Sequence, residues 1–306
     1  MTAEVCVMNR LGIALAADSA VTLPSRGDNE NKIYTSVDKM FNLSIEAPVG
    51  VMIFGNASYL ELMWETIVKE YRRRLGARRY DFLREYADDF LKFLTDAEVF
   101  PEDVQNQHVS KLVHMYFGHI LGRIEKRLSN EVQQSKELDE ETFSPIITDE
   151  ISEVLSKVKE FPRLEEFDKA TISKIRQGFR ALFREARDNV FKDFKLEPSA
   201  IRYLNQIGVE FLTRDVFGPL ESGVVIAGFG EKEFFPRLYF FRIDGQVLGK
   251  LRMVRELETE LSAESSASVI PFAQQEMVHT FMNGIDPEFD QFVRSTTHQS
   301  LVGSCP

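Results

Sequence analysis

The sequence predicts an α+β chain in which strand-rich segments at both ends flank a long helical middle. Three observations carry this. Period-two alternation and short apolar runs fill the first fifty-odd positions, helical apolar stripes run from about residue 77 to about 219, and strand character returns at Ser222.

The chain opens with Met1-Thr2 and an alternating run through Met8, then a turn at Asn9-Arg10-Leu11-Gly12. The stretch Ile13-Ala14-Leu15-Ala16-Ala17 is almost continuously apolar, so a hairpin is expected with a buried second strand. Asp18 then falls at the end of that strand, where an unpaired carboxylate is costly and a cationic partner is required. Lys32 and Lys39 are both candidates, and Lys39 is favoured because it opens a third strand at Met40-Phe41-Asn42-Leu43. A further apolar run, Val49 to Phe54, ends in Gly55-Asn56-Ala57-Ser58. Gly55 permits close backbone approach, and Ser58-Tyr59-Leu60-Glu61 reads as a capping box opening a helix through Trp64, Ile67 and Val68. A backbone N–H between that strand end and that helix start has the position of an oxyanion donor.

A small second residue favours removal of the initiator Met, which leaves a threonine carrying both a hydroxyl and a free α-amine. The hydroxyl alone is a poor nucleophile at neutral pH, whereas an α-amine with a pKa of about 7.7–8.0 is partly neutral and takes its proton. Thr2 is therefore a candidate nucleophile with its base attached.

Thr2, Gly12, Ala16-Ala17-Asp18-Ser19, Lys39 and Gly55-Asn56-Ala57 together resemble the amino-terminal half of proteasome β-subunits and related bacterial ring peptidases, of the N-terminal-nucleophile hydrolase superfamily. The resemblance implies a four-layer αββα sandwich built from residues 1–76 and 220–306, with residues 77–219 a helical insertion. It also implies roles. Thr2 attacks an amide carbonyl, Asp18 holds Lys39 beside it, Gly55 stabilises the oxyanion, and Val21 and Thr22 form the strand edge that binds peptide. Ser222 stands nearest the accessory serine of the family. Ala20 departs from the pattern, which often has Arg directly after Asp-Ser. A peptide or small-amide substrate, a homo-oligomer and no cofactor are the corresponding expectations. A non-catalytic subunit that uses the insertion as an interaction module is the alternative.

Composition limits other classes. The net charge of -11 argues against a nucleic-acid partner, and there is no apolar run long enough to span a membrane and no basic-then-apolar signal segment. A cytoplasmic protein is expected. Cys6 and Cys305 supply no disulfide framework, and Cys6 reads as a small core residue.

In the middle, Val109-Leu112-Val113-Tyr116-Phe117-Ile120-Leu121-Ile124-Leu128 keeps a helical stripe, and Ile151 to Val158 and Ile172 to Phe183 repeat it. Polar breaks are expected at Thr95-Asp96, at Ser129 through Pro145 and at Glu197-Pro198-Ser199. His108, His114 and His119 are spaced six and five apart, which does not set two imidazoles on one helix face as metal ligation requires.

After Ser222 to Gly230 comes a hairpin-like pair, Arg237 to Arg242 and Gly249 to Met253, with its turn expected at Ile243-Asp244-Gly245-Gln246. Ser265 to Ile270 reads as a small-residue turn leading through Pro271 into a helix. The resemblance requires a later Asp-x-x-Ser pair and closing strands, and neither motif is present after Pro287.

Overall fold

A computed structural model describes residues 3–19, 21–23, 32–34, 38–134, 140–261, 267–273 and 275–302. The fold is mixed α/β with antiparallel sheets.

Strands β1 (Ala3–Asn9) and β2 (Gly12–Ala17) make the expected hairpin, but β2 is a partly exposed edge strand of its sheet and not the buried strand its apolar run suggested. Asn9 closes it, its Oδ1 accepting from the backbone N–H of Leu11 at 2.8 Å and of Gly12 at 3.1 Å, so the side chain substitutes for a backbone turn. β3 (Val21–Leu23) pairs with β4 (Lys32–Tyr34). Lys39 leads into β5 (Met40–Asn42), which pairs with β6 (Val49–Gly55).

The expected capping box is absent. Ser58–Tyr59 (β7) and Leu62–Met63 (β8) form a small hairpin whose corner residues, Leu60 and Glu61, have φ of 48° and 67°. The Ser58 hydroxyl is turned instead to Asn56 Oδ1 at 3.4 Å, and helix α1 (Trp64–Leu75) begins later without a side-chain cap. Its stability comes from burial of Trp64, Ile67, Val68, Tyr71 and Leu75 along one face, roughly 1.5–3 kcal/mol for each large apolar side chain.

Then follow α2 (Leu83–Phe93), α3 (Glu102–Gln134), α4 (Glu140–Glu160), α5 (Lys169–Gly178), α6 (Arg180–Val190) and α7 (Pro198–Thr213). The break expected over Ser129 through Pro145 is narrower than that: Ser129 and Asn130 lie inside α3, which ends at Gln134, and Pro145 sits within the first turns of α4, which begins at Glu140.

Strand β9 (Ser222–Gly228) precedes the long hairpin of β10 (Arg237–Val247) and β11 (Lys250–Glu260). Its turn is Leu248-Gly249, with φ of 54° and 73°, and not Asp244-Gly245 as the sequence suggested. The register shift between Ile243 and Gly245 makes that dipeptide a bulge instead. There Gly245 has φ +138°, and a Cβ on it would collide with the His108 ring.

Residues 267–273 are also a correction, forming a strand (β12, Ala267–Ala273) rather than a turn into a helix. β12 pairs with β1, placing Pro271 opposite Val5; as an edge strand β12 tolerates a residue without an N–H. Helices α8 (Gln275–Asn283) and α9 (Pro287–Val302) follow, and α8 packs on β1 and β12.

Among the described residues, beside the two-stranded pairs β3-β4 and β7-β8, the strands form a larger sheet in the order β11-β10-β9-β6-β5 and a smaller one in the order β12-β1-β2. On one face of the larger sheet, Val51, Ile53, Val224, Ile226 and Tyr239 pack against α1 and α2. On its other face Met52, Val225, Ala227 and Leu238 share a core with Cys6, Met8 and Phe272 of the smaller sheet. The helices α3 to α7 bury a separate core, which meets the larger sheet at Val247 and Val254. No described helix is long and apolar enough to cross a membrane.

Candidate functional site

Three charged groups converge where the two sheets meet. Glu4 is the second residue of β1, and the β1–β2 register sets it opposite Ala17, directly before Asp18. Lys39 reaches them from the larger sheet, where its carbonyl accepts the Ile53 N–H at 2.8 Å. Its Nζ lies 3.2 Å from Glu4 Oε1 and donates also to Asp18 Oδ1.

The burial of the three differs. The Glu4 side chain has no solvent exposure, Lys39 is 6% exposed and Asp18 is 35% exposed. Two carboxylates thus face one ammonium, and the second oxygen of Glu4, Oε2, is buried with no hydrogen-bond partner among the described residues. Burial raises the Glu4 pKa above the usual carboxylate range, with Lys39 opposing the shift and Asp18 reinforcing it.

The Gly55 turn lies close by. β5 and β6 run antiparallel with Met40 opposite Met52, and Gly55 is two residues beyond Ile53, roughly 7 Å along the strand. Gly55 has φ +79°, and a Cβ on it would stand 2.7 Å from the Glu221 carbonyl oxygen. The turn is pinned from the neighbouring strand. Asn56 N–H donates to the Glu221 carbonyl at 2.8 Å, and Asn56 Nδ2 donates to the Leu220 carbonyl at 3.2 Å.

Ser222 stands opposite Gly55 in the β6–β9 register and is 1% exposed. Its hydroxyl donates to the Asn56 carbonyl at 2.9 Å and accepts from Trp64 Nε1 at 2.9 Å. The serine assigned an accessory role from sequence is thereby engaged in holding the Gly55 turn to helix α1.

Thr2 and Ala20 lie outside the described residues. Val21 and Thr22 form β3, pairing with Tyr34 and Ile33. Asp18 and Lys39 are paired, and Gly55 ends β6 two residues beyond Ile53, whose N–H donates to the Lys39 carbonyl. Glu4 was missed, although the signal was present: it shares its parity with Cys6 and Met8, the buried positions of β1.

Other candidates resolve into structural roles. Burial pushes the Cys6 thiol up to about 12, which removes it as a nucleophile at neutral pH. His108 Nε2 donates to the Asp244 carbonyl at 2.5 Å, and His114 Nδ1 donates to the Ser110 carbonyl at 2.8 Å. A groove of about 800 Å³ opens between Gly12, Ile13 and Leu15 of β2 and Met40 to Asn42 of β5. Its lining runs along β2 from Gly12, opposite Asn9, to Leu15, opposite Cys6, and along β5 from Asn42 to Met40, the residue that follows Lys39.

Comparison with known protein families, with curated proteins and with solved structures finds no match for this chain.

Proposed function

We propose that the chain is an N-terminal threonine hydrolase of amide bonds, acting on a peptide or a small amide through an acyl-enzyme on Thr2 once Met1 is removed. The single observation that carries this reading is the buried Lys39 ammonium, clamped between Glu4 and Asp18 beside the start of β1. Residue 2 is two positions from Glu4, and two extended residues span at most about 7 Å. Stacked sheets with α1 and α2 on one side and α8 on the other support the four-layer sandwich that goes with such a site.

The chemistry follows from these groups. The Thr2 α-amine takes the hydroxyl proton as Oγ attacks the carbonyl carbon, and the Gly55 N–H receives the developing oxyanion. Lys39 favours the neutral amine and the alkoxide-like transition state. The C–N bond then breaks and the leaving amine takes the proton from the α-ammonium; water next attacks the ester with the same amine as base, the carbonyl–Oγ bond breaks to release the acid, and Oγ takes the proton back from the α-ammonium. Assembly of several copies is part of the same proposal.

A peptidyl β-lactone tests it. Attack by Oγ opens the lactone by acyl–oxygen cleavage, the ring oxygen leaves with a proton, and the chain gains the whole reagent mass. The expected result is one adduct on a chain lacking Met1, and none on Thr2→Ala. Equal labelling of Thr2→Ala, or retention of Met1 in the native chain, sinks the reading.

A further inference from the structure

Glu4 has a place in the site that the Asp18–Lys39 pair does not explain. Asp18 already neutralises Lys39 from the partly exposed side, yet a second carboxylate, wholly buried, approaches the same ammonium at 3.2 Å. A buried carboxylate beyond electrical need is a cost to the fold, and its raised pKa says that burial outweighs the lysine's attraction. Its free oxygen, Oε2, is an acceptor with no described donor. Along the chain, position 2 is separated from Glu4 by two residues, a span of at most about 7 Å.

Resting on the threonine reading above, we infer that Glu4 is a positioning residue that opposes Lys39 electrostatically and so sets the basicity of the Thr2 α-amine. Lys39 by itself lowers the amine pKa and weakens it as a base. The surplus negative charge of Glu4 raises it again, keeping the amine strong enough to take the hydroxyl proton. The charged groups acting on Glu4 are Lys39, ahead of β5, Asp18, after β2, and the amino terminus of the chain. Ala17 of β2 and Phe272 of β12 flank it across the sheet, and Glu276 of the overlying α8 is exposed.

The test follows β-lactone trapping of the full chain by intact mass, resolved into the maximal rate and the half-saturating concentration across pH 5 to 9. Glu4→Gln and Glu4→Met both remove the charge. Each is expected to move the pH midpoint down by about one unit, since an opposite charge at this range is worth 1–3 units. The plateau rate is expected to fall several-fold, with half-saturation within twofold of the parent. Glu4→Asp, which keeps the charge, is expected to restore most of the midpoint. A loss of packing alone lowers the rate without moving the midpoint. The apolar variant removes a buried charge and is expected to fold even where the amide variant does not. A folded charge-free variant with the parent's midpoint overturns this inference while Thr2→Ala remains silent. If Thr2→Ala is labelled like the parent, the threonine reading itself fails.

Discussion

At the scale of single residues, conformational constraints and burial separate reactive groups from structural ones. Gly55 is required on two grounds, a left-handed φ of +79° and the Glu221 carbonyl 2.7 Å from where a Cβ would stand. Gly55→Ala is expected to cost about 2 kcal/mol from backbone strain, more where the carbonyl cannot yield, and to abolish lactone trapping before it abolishes folding. Urea unfolding measured beside trapping distinguishes these losses. Ser222 shows the opposite case. Its type and spacing suggested chemistry, but both of its hydrogen bonds serve the turn.

Among elements, the β10 bulge joins the strand to helix α3. Asp244-Gly245 is a turn dipeptide by type, and here it bends a strand so that the Asp244 carbonyl accepts from His108 Nε2. Burial lowers the His108 pKa from its ordinary 6.5, with the Asp244 carbonyl and carboxylate opposing and the Arg252 and Lys111 charges assisting. A depressed pKa means that the folded chain binds this proton less readily than the unfolded one. The stabilisation is therefore complete above about pH 6.5 and is lost as pH falls below it. The melting temperature is expected to drop between pH 7 and pH 5, and to drop less in His108→Gln, which keeps a donor without titrating. Thermal melts at stepped pH check this; equal slopes in the two chains exclude His108 as the cause.

Over the whole molecule, Arg252 ties the larger sheet to helix α7, while its ion pair with Asp244 of the neighbouring strand β10 has no solvent contact. Arg252 of β11 donates to Asp244 Oδ1 at 2.8 Å and to the Phe211 and Val216 carbonyls at 2.7 and 3.0 Å. Phe211 and Phe217 also offer their rings to its guanidinium. Removing one partner of such a pair strands the other, so Arg252→Ala is expected to destabilise the chain by about 3–5 kcal/mol. Chemical denaturation reads the loss, and a change below 1 kcal/mol contradicts it.

Much of this organisation was legible in the sequence, because local pattern dictates local structure. Alternation and the Asn9 turn defined the first hairpin, and the 3.6-residue stripes marked α3 and α4, whereas the stripe from Ile172 to Phe183 is divided at Phe179 between α5 and α6. The Asp18–Lys39 pair was recognisable because an acid at a strand end calls for a cation, although Asp18 is partly exposed, and Gly55 because a strand-ending glycine marks close backbone approach. Tertiary structure alone decided the rest, since long-range contacts outweigh local preference. Partnership with β1 made residues 267–273 a strand despite Pro271. His108 and Arg252 turned Asp244-Gly245 from a turn into a bulge. The same reason hid Glu4: its parity was visible, but only the stacking of one sheet on the other could bring Lys39 to it and leave its second oxygen buried without a partner among the described residues.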